Sequence, residues 1–413
     1  MSERRVVVLG GAGGIGSVAA ASLACTDDAT EVVVADLSWE AAERVVVGIG
    51  DERFRAASVD VTDPDSLAAL ITGAEVVINC VGPFYRFGPP TLAAVIDAGI
   101  TYVDVCDDLS ATRTMLELDG AARAAGVQAL LGMGNSPGLA NIFVKMCDEW
   151  FFDELHTADI MHIHGGEPFE GAAVLKHRIH AMTNDVPIFA DGAFTSVRML
   201  EESGAPFIVV EDFAGVGEFP VYPYPHPETI TMPKVFPTLR AASNRGVVFP
   251  LSYFNLTQDL VRVGMASEDP IRVVGAEVAP IDVMVALLQQ RRPQLLADAG
   301  VTGPAGCLKV VVTGSKDGAE HTYVASVFSD ADGAGAGTGI PAAIGAILAL
   351  RGELVGGPGV HPPEAAVPVA PVLELAGKIV SGLSIGGGSL PMLLEHIGPD
   401  GVRELLPFSL GGS

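Results

Sequence analysis

Six residues, Gly11-Ala12-Gly13-Gly14-Ile15-Gly16, follow a β-branched run and open a stretch of small residues. Glycines at this spacing let a chain turn tightly and let a phosphate approach backbone N–H groups at a helix N-terminus, whose dipole favours negative charge. Asp36 closes the next apolar run, 20 residues beyond Gly16. A carboxylate there accepts from the hydroxyls of an adenine ribose. A 2′-phosphate would meet that charge, and Leu37, Ser38 and Trp39 bring no cation. The pattern favours NAD, with NADP possible. The bland alternative is a structural turn, with Asp36 a solvated strand end.

Other reactive side chains also fall at the ends of apolar runs. Asn79-Cys80-Val81-Gly82-Pro83 closes a fourth run. Ligands of open α/β sheets sit beyond the carboxyl ends of the strands, so Cys80, Val81, Gly82 and Pro83 are expected beside the nicotinamide. Tyr85 and Arg86 come next; Arg86 either pairs bidentately with a substrate carboxylate or lies along the surface. Cys106, Asp107 and Asp108 close a fifth run. A carboxylate there suits a cationic reaction centre, or else the two aspartates cap the next helix with Ser110. Residues 130–143, LLGMGNSPGLANIF, form a second strand-to-helix turn. Asn135, Ser136, Pro137 and Gly138 stand at its mouth, where free helix N–H groups can take a substrate carboxylate.

Farther along, PVYPYPHPETITMP places Tyr222, Tyr224, His226 and Glu228 in a segment punctuated by proline. Proline cannot donate to a ladder, so an edge strand or loop is expected, where functional residues collect. His226 is the leading proton-transfer candidate. His177 and His180 share a helix face beside Lys176 and Arg178, which suits a substrate carboxylate or a solvated polar face. His162-x-His164 has no adjacent third ligand, and no metal is expected.

These groups need a scaffold. Strands are expected over 5–10, 31–36, 54–60, 75–80, 101–106 and 127–132, and helices over 14–25, 38–47, 63–71, 90–98 and 110–125. Runs apolar on both faces are what a parallel sheet covered by helices requires. Residues 1–150 thus read as an α/β, doubly wound Rossmann domain. Residues 151–330 read as an inserted α+β substrate and dimerisation domain with an antiparallel sheet. Its strands are expected in ELHTADIMHIHG, APFIVVEDF, GVVFPLSYFNL and CLKVVVTGSKDGAEHTYVASVF, the last with a turn at Lys316-Asp317-Gly318. Helices are expected over 171–184 and 280–291. In 331–413, a flexible glycine-rich connector leads to an apolar helix over 340–350, and C-terminal helices return to the first domain.

Composition narrows the partners. The chain has 413 residues and a net charge of -26, which argues against nucleic acid, whose phosphates would be repelled. The five cysteines are scattered, fitting a reducing cytoplasm. The N-terminal stretch mimics an export signal, but its five glycines belong to the nucleotide turn. No run is long enough for a membrane span. The open sheet edge of the second domain points to a homodimer.

The combination of VVVLGGAGGIG, VVINCVGPF, YVDVCDD and GMGNSPGLAN with a late GTGIPAA helix and GVHPPE resembles the saccharopine dehydrogenase-like family. The resemblance implies hydride transfer between a nicotinamide and a carbon–nitrogen bond of an amino-acid or polyamine-like substrate. The family often has His-Pro-Glu where this chain has His226 to Glu228, which supports His226; read from their places at the same cleft, Asp107 and Cys106 join it as catalytic candidates, with Tyr85, Arg86, Asn135, Ser136, Pro137, Gly138, His177 and Glu228 around the substrate. Saccharopine reductases and carboxynorspermidine enzymes usually carry Asp before this Pro-Gly, where this chain has Ser136; amino-acid 6-dehydrogenases have a small residue there. Reduction of another C=O or C=C bond, and dinucleotide binding without catalysis, are the alternatives.

Overall fold

The computed structural model describes residues 4–329, 333–383 and 392–407. β1 (Arg5–Leu9), β2 (Glu31–Asp36), β3 (Phe54–Ser58), β4 (Val76–Asn79), β5 (Thr101–Asp104) and β6 (Gln128–Leu130) form a parallel sheet in the order β6-β5-β4-β1-β2-β3. Val6 to Leu9 are wholly buried, as a strand covered on both faces must be. The expected doubly wound sheet is therefore present. A seventh strand, Gly359–His361, joins β6 in parallel. Three residues beside prolines are too short for a periodicity to show, and nothing in the sequence places them here.

The connecting helices are α1 (Gly14–Leu23), α2 (Trp39–Ile49), α3 (Pro64–Ile71), α4 (Phe84–Asp97), α5 (Leu109–Leu116), α6 (Asp119–Ala125) and α7 (Leu139–Trp150). Asp63 caps α3, with Pro64 at its first position, as expected. Two expectations change. α4 begins at Phe84 rather than at 90, with Pro89 and Pro90 inside it. The helix expected over 110–125 is two. The N–H groups of Glu117 and Leu118 turn to carbonyls three residues back, at 3.2 and 3.0 Å, which ends the α ladder.

The second sheet is built from β7 (Glu154–Gly165), β8 (Asp185–Ala190), β9 (Ala193–Arg198), β10 (Val209–Phe213), β11 (Gly217–Pro223) and β12 (Ala241–Phe249), followed by β15 (Ala305–Lys316) and β16 (Ala319–Ser329); β13 (Ile271–Val273) and β14 (Ala276–Val278) make a separate hairpin. Its path runs β10-β11-β12-β7-β15-β16 and ends in Met392–Ile397 and Arg403–Leu406. It is mixed rather than antiparallel, because β12 returns to β7 in parallel after a long crossover. The β15–β16 turn is as read: Asp317 and Gly318 both lie in the left-handed region, at φ 51° and 76°. Part of GVVFPLSYFNL is helix, since α10 (Leu251–Arg262) follows Pro250. α8 (Ala172–Thr183), α10 and α11 (Pro280–Asp298) cover one face over a core of their own. α9 (Glu228–Val235) occupies the end of the proline-rich segment, and β11 lies between β10 and β12 rather than at an edge.

On the other face the core is continuous. It runs from the parallel sheet through α7 to β7 and β15 at Ala158, Ile160, Leu308 and Val310. α12 (Gly333–Arg351) begins before Ile340, so glycines expected in a connector are helical; residues 330–332 of that connector lie outside the described residues. Gly335 and Gly339 seat the helix directly on α1. A Cβ on Gly339 would stand 2.7 Å from the Ile15 carbonyl oxygen. Tertiary contact thus overrides the poor helix propensity of glycine. Beyond α12 the chain is not only helical. It supplies the seventh strand of one sheet and the last two strands of the other. No described helix is long and apolar enough to cross a membrane.

Candidate active site

The turn after β1 is shaped by its neighbours. A Cβ on Gly11 would meet Val34 Cγ1 at 2.7 Å, and one on Gly16 would run into Gly10 backbone, whereas Gly14 faces open space. The Gly13 N–H bonds the Gly10 carbonyl at 3.1 Å, and Ala12 N–H donates to Asp36 Oδ2 at 3.0 Å. The N–H groups of Gly14, Ile15 and Gly16 have no backbone acceptor among the described residues. A helix start with free donors and room above it fits a dinucleotide pyrophosphate. Asp36 holds its second oxygen on Leu37 N–H at 2.8 Å, which fixes its carboxylate beside the turn.

The second turn behaves differently. Gly138 N–H donates to Asn141 Oδ1 at 2.8 Å, Leu139 N–H to the Gly134 carbonyl at 2.9 Å, and Ala140 N–H to the Asn135 carbonyl at 3.1 Å. These donors are spent inside the protein, so Gly138 and the helix start do not offer them to a carboxylate. Gly138, at φ 123°, is pressed against Gly134 backbone, and Pro137 faces a small side cavity near Thr231. Asn135 and Ser136 do face the main cavity.

That cavity, of about 310 Å³, opens where the carboxyl ends of the parallel strands meet β7, β15 and α8. Ile15, Cys80, Gly82 and Pro83 line one side; Val81 is not in the lining, its N–H being held by Asn79 Oδ1 at 3.0 Å. Burial pushes the Cys80 thiol up to about 12. The aspartates after β5 divide the two expected roles. Asp108 is the N-cap of α5: its Oδ1 accepts from Ala111 N–H at 2.8 Å and from the Ser110 hydroxyl at 2.6 Å. Asp107 faces the cavity with 38% of its side chain exposed.

Three predicted residues move away from the chemistry. Cys106 is fully buried, its sulfur near the Asp108 carbonyl and Thr112 Oγ1 at 3.6 and 3.5 Å. Burial pushes its thiol well above the ordinary value, so it neither reaches the main cavity nor supplies a thiolate. Arg86 is exposed over Phe87, its guanidinium 5.3 Å from the ring. Both Tyr85 and Arg86 lie on the first turn of α4, not on a loop. The Tyr85 hydroxyl donates to Glu268 at 2.8 Å and its ring stacks on His180 at 4.2 Å, outside the main cavity lining.

Opposite Asp107, α8 presents His177, with Nε2 3.2 Å from Asp107 and Nδ1 3.6 Å from Asp108. Burial alone would favour neutral imidazole, but the two carboxylates outweigh it and hold the proton more tightly than usual. The same pairing holds Asp108 well below the ordinary carboxylate range against its burial. Next on the helix, Arg178 is clamped bidentately by Glu170, at 2.6 and 3.0 Å. Glu170 also meets Arg292 at 2.8 Å and the Tyr253 hydroxyl at 3.0 Å. Despite burial, those cations draw its carboxyl down to about 2.

His226 comes from just before α9 and is buried against the Ser136 turn. Its Nδ1 lies 3.4 Å from Ser136 Oγ, 3.3 Å from Asn244 Nδ2 and 3.5 Å from Glu228 Oε2. The Ser136 hydroxyl donates to Glu228 Oε1. His162 stacks on His226 at 5.0 Å and meets Asn244 Oδ1 at 3.1 Å; burial, then His226, push its proton affinity far down. Asn244 and Arg178 carry no signature in the sequence, one an isolated amide in a strand, the other one base among several on a helix. Ligand atoms of Asp107, His177 and His226 lie within 4.8 Å of one another, as do those of His164, Glu167 and Glu170. In the first set Asp107 pairs with His177, and in the second Arg178 and Arg292 neutralise Glu170.

A dinucleotide cradle whose strand ends open on a cavity of imidazoles and carboxylates defines an NAD(P)-dependent oxidoreductase. A family model described as "Saccharopine dehydrogenase NADP binding domain" matches residues 6–130, and one described as "Saccharopine dehydrogenase C-terminal domain" matches residues 134–380. The chain belongs to the saccharopine dehydrogenase family. It is 26% identical over 373 residues to a carboxyaminopropylagmatine dehydrogenase of Synechocystis, covering 84% of this chain and 89% of that one. It is 27% identical over 378 residues to a carboxynorspermidine synthase of Vibrio alginolyticus, covering 83% and 88%. Its fold matches apo saccharopine dehydrogenase (L-Glu forming) from Saccharomyces cerevisiae, with a TM-score of 0.64, 18% identity and coverage of 95% and 99%.

Proposed function

We propose that this chain interconverts a secondary amine and its imine, on a substrate that joins an amino-acid arm to a polyamine-like arm. The observation that carries the reading is the convergence of Asp107, His177, His226 and Ser136 on the cavity at the mouth of the dinucleotide turn. When bound, the nicotinamide supplies the hydride acceptor or donor. The amine must first lose a proton, because hydride leaves only from a carbon bearing a neutral nitrogen. His226 takes that proton, and Ser136 with Glu228 holds the ring for it. Loss of hydride then leaves a cationic iminium, which the exposed Asp107 carboxylate stabilises; His177 keeps Asp107 aimed. Water attacking the iminium releases a carbonyl and an amine, and the reverse order makes the C–N bond. Asn135 borders the same cavity, and Arg178 on its wall offers its remaining donors to a substrate carboxylate.

NAD is proposed as the preferred dinucleotide, because Asp36 stands where a 2′-phosphate would sit. Residues 1–150 hold the dinucleotide and 151–330 most of the substrate wall, with 331–413 closing on both. The reading extends to a cytoplasmic homodimer, for which the exposed edge strands β10 and Arg403–Leu406 offer a surface.

The test is nicotinamide absorbance with NAD+ and NADP+ against carboxynorspermidine, carboxyaminopropylagmatine, saccharopine and lysine. Turnover of at least one secondary amine is expected, with His226→Ala slowing it roughly 100-fold or more. Turnover of lysine alone would replace the secondary amine with a primary one. An undiminished rate in His226→Ala would remove that residue from proton transfer.

A further inference from the structure

The GVHPPE segment belongs to the strand Gly359–His361 and the short helix Pro363–Ala366, and nothing above uses its glutamate. Glu364 is 1% exposed. Its Oε2 accepts from Asn141 Nδ2 at 2.6 Å. The orientation of that amide is set from its other side, because Asn141 Oδ1 must accept the Gly138 N–H at 2.8 Å. One wholly buried asparagine therefore ties Glu364 to the turn that carries Ser136. The other oxygen, Oε1, is buried without a hydrogen-bond partner among the described residues.

A second buried carboxylate lies on the far side of the same turn. Glu228 is wholly buried, accepts the Ser136 hydroxyl on Oε1, and turns Oε2 to His226 Nδ1 at 3.5 Å. Thr231, one turn along α9, turns its buried hydroxyl toward Glu364 and offsets part of the cost of burying a charge there. Burial makes a charge on Glu364 costly, and Glu228 adds to that cost. The charged and titratable groups facing Glu364 come from two elements. α9 brings Glu228 and Thr231, and α7 brings Asn141 and Lys145. The Lys145 ammonium is turned instead to the Val367 carbonyl at 2.9 Å and to Glu149 at 3.9 Å.

We propose that Glu364 is a positioning residue of the active site: a neutral carboxylic acid that clamps the Ser136 turn through Asn141 without adding a charge behind Ser136 and His226. Burial, reinforced by Glu228, pushes the Glu364 carboxyl up to about 7. Raising the pH through that value places a second negative charge behind the turn. That charge disturbs the seat of Ser136 and His226.

The proposal rests on the Ser136–His226 cluster being the reacting one, so it is tested by two readouts. The first needs no substrate and no variant: infrared spectra of the full-length protein labelled with ¹³C at the glutamate side-chain carboxyls. A protonated glutamic acid band is expected that fades with a midpoint near pH 7 and is missing in Glu364→Gln. No such band, or one unchanged in the variant, overturns the proposal. The second is the pH profile of kcat for the amine that turns over. Wild type is expected to fall above the midpoint, by roughly tenfold per pH unit. Glu364→Gln, neutral at every pH, should keep the wild-type rate below the midpoint and hold it above. Superimposable profiles would overturn the positioning role. Absence of turnover with every amine would instead count against the proposed function, while the infrared result still decides the state of Glu364.

Discussion

Gly339→Ala sets two effects of known size against each other. Alanine in a helix interior is favoured over glycine by about 1 kcal/mol. Here the new Cβ would stand 2.7 Å from the Ile15 carbonyl oxygen, 2.8 Å from Val18 Cβ and 2.9 Å from Ala19 N. Ordinary contact begins at 3.4 Å, so α12 and α1 must separate by about 0.7 Å. Two of the three opposing atoms are helix backbone, which cannot swing aside as a side chain does. Overpacking of this kind costs about 1–3 kcal/mol. The net expectation is a loss of up to about 2 kcal/mol, since the steric cost exceeds the propensity gain. The displaced helix is α1, whose first turn holds the free N–H groups of Gly14, Ile15 and Gly16. Dinucleotide affinity should therefore fall as well, by about tenfold for a loss of 1.4 kcal/mol. Urea unfolding and titration of NADH fluorescence measure the two losses separately. Gly48→Ala in α2 is the control, because nothing lies within 4 Å of its added Cβ; that variant should gain up to about 1 kcal/mol. If Gly339→Ala also gains stability and keeps its NADH affinity, the close contact does not limit the packing of α12 on α1.

Two further outcomes follow from buried or placed carboxylates. Burial raises the Asp104 carboxyl from 3.8 to about 6, although Gly132 N–H and Cys106 N–H donate to it at 2.7 and 3.0 Å. A carboxyl raised on folding favours the native state fully at low pH, and that advantage is lost as pH climbs from about 4 to about 6; the shift of 2.2 units corresponds to about 3 kcal/mol. Asp104→Asn should flatten that part of the stability curve in urea unfolding, and an unchanged slope would refute the burial argument. Asp36→Ser should raise the preference for NADP+ over NAD+ by roughly 10- to 100-fold in kcat/KM, through removal of a like charge. A ratio unmoved by the substitution would mean that Asp36 does not read the ribose.

Much of the framework is legible in local pattern. Continuous apolar runs mark β1, β2 and β4, shorter ones mark the other three strands of the parallel sheet, and Asp63-Pro64 marks a helix start. Lys316-Asp317-Gly318 marked a two-residue hairpin. Each of these is decided within a few residues by backbone sterics and burial. GVH as a seventh strand, the parallel return of β12 to β7 and the early start of α12 are different. Each depends on a partner far away in the chain, and no short window contains both halves of the interaction.

The site divides along the same line. Gly11 to Gly16 and Asp36 were readable because the turn, the free N–H groups and the carboxylate all arise from one βαβ unit. The Asn135-Ser136-Pro137-Gly138 turn looked equivalent, yet folding spent its donors on Gly134, Asn135 and Asn141. Asp107 and Asp108 are adjacent in sequence and offered the same two roles. Only the rotation of the chain into α5 made one a cap and left the other facing the cavity. The sequence by itself determined the parallel sheet, the dinucleotide turn and the stock of acids and bases. The tertiary structure decided which of them meet, because His177, His226, Asn244 and Glu364 come from separate elements and acquire their chemistry only from the burial and neighbours that packing provides.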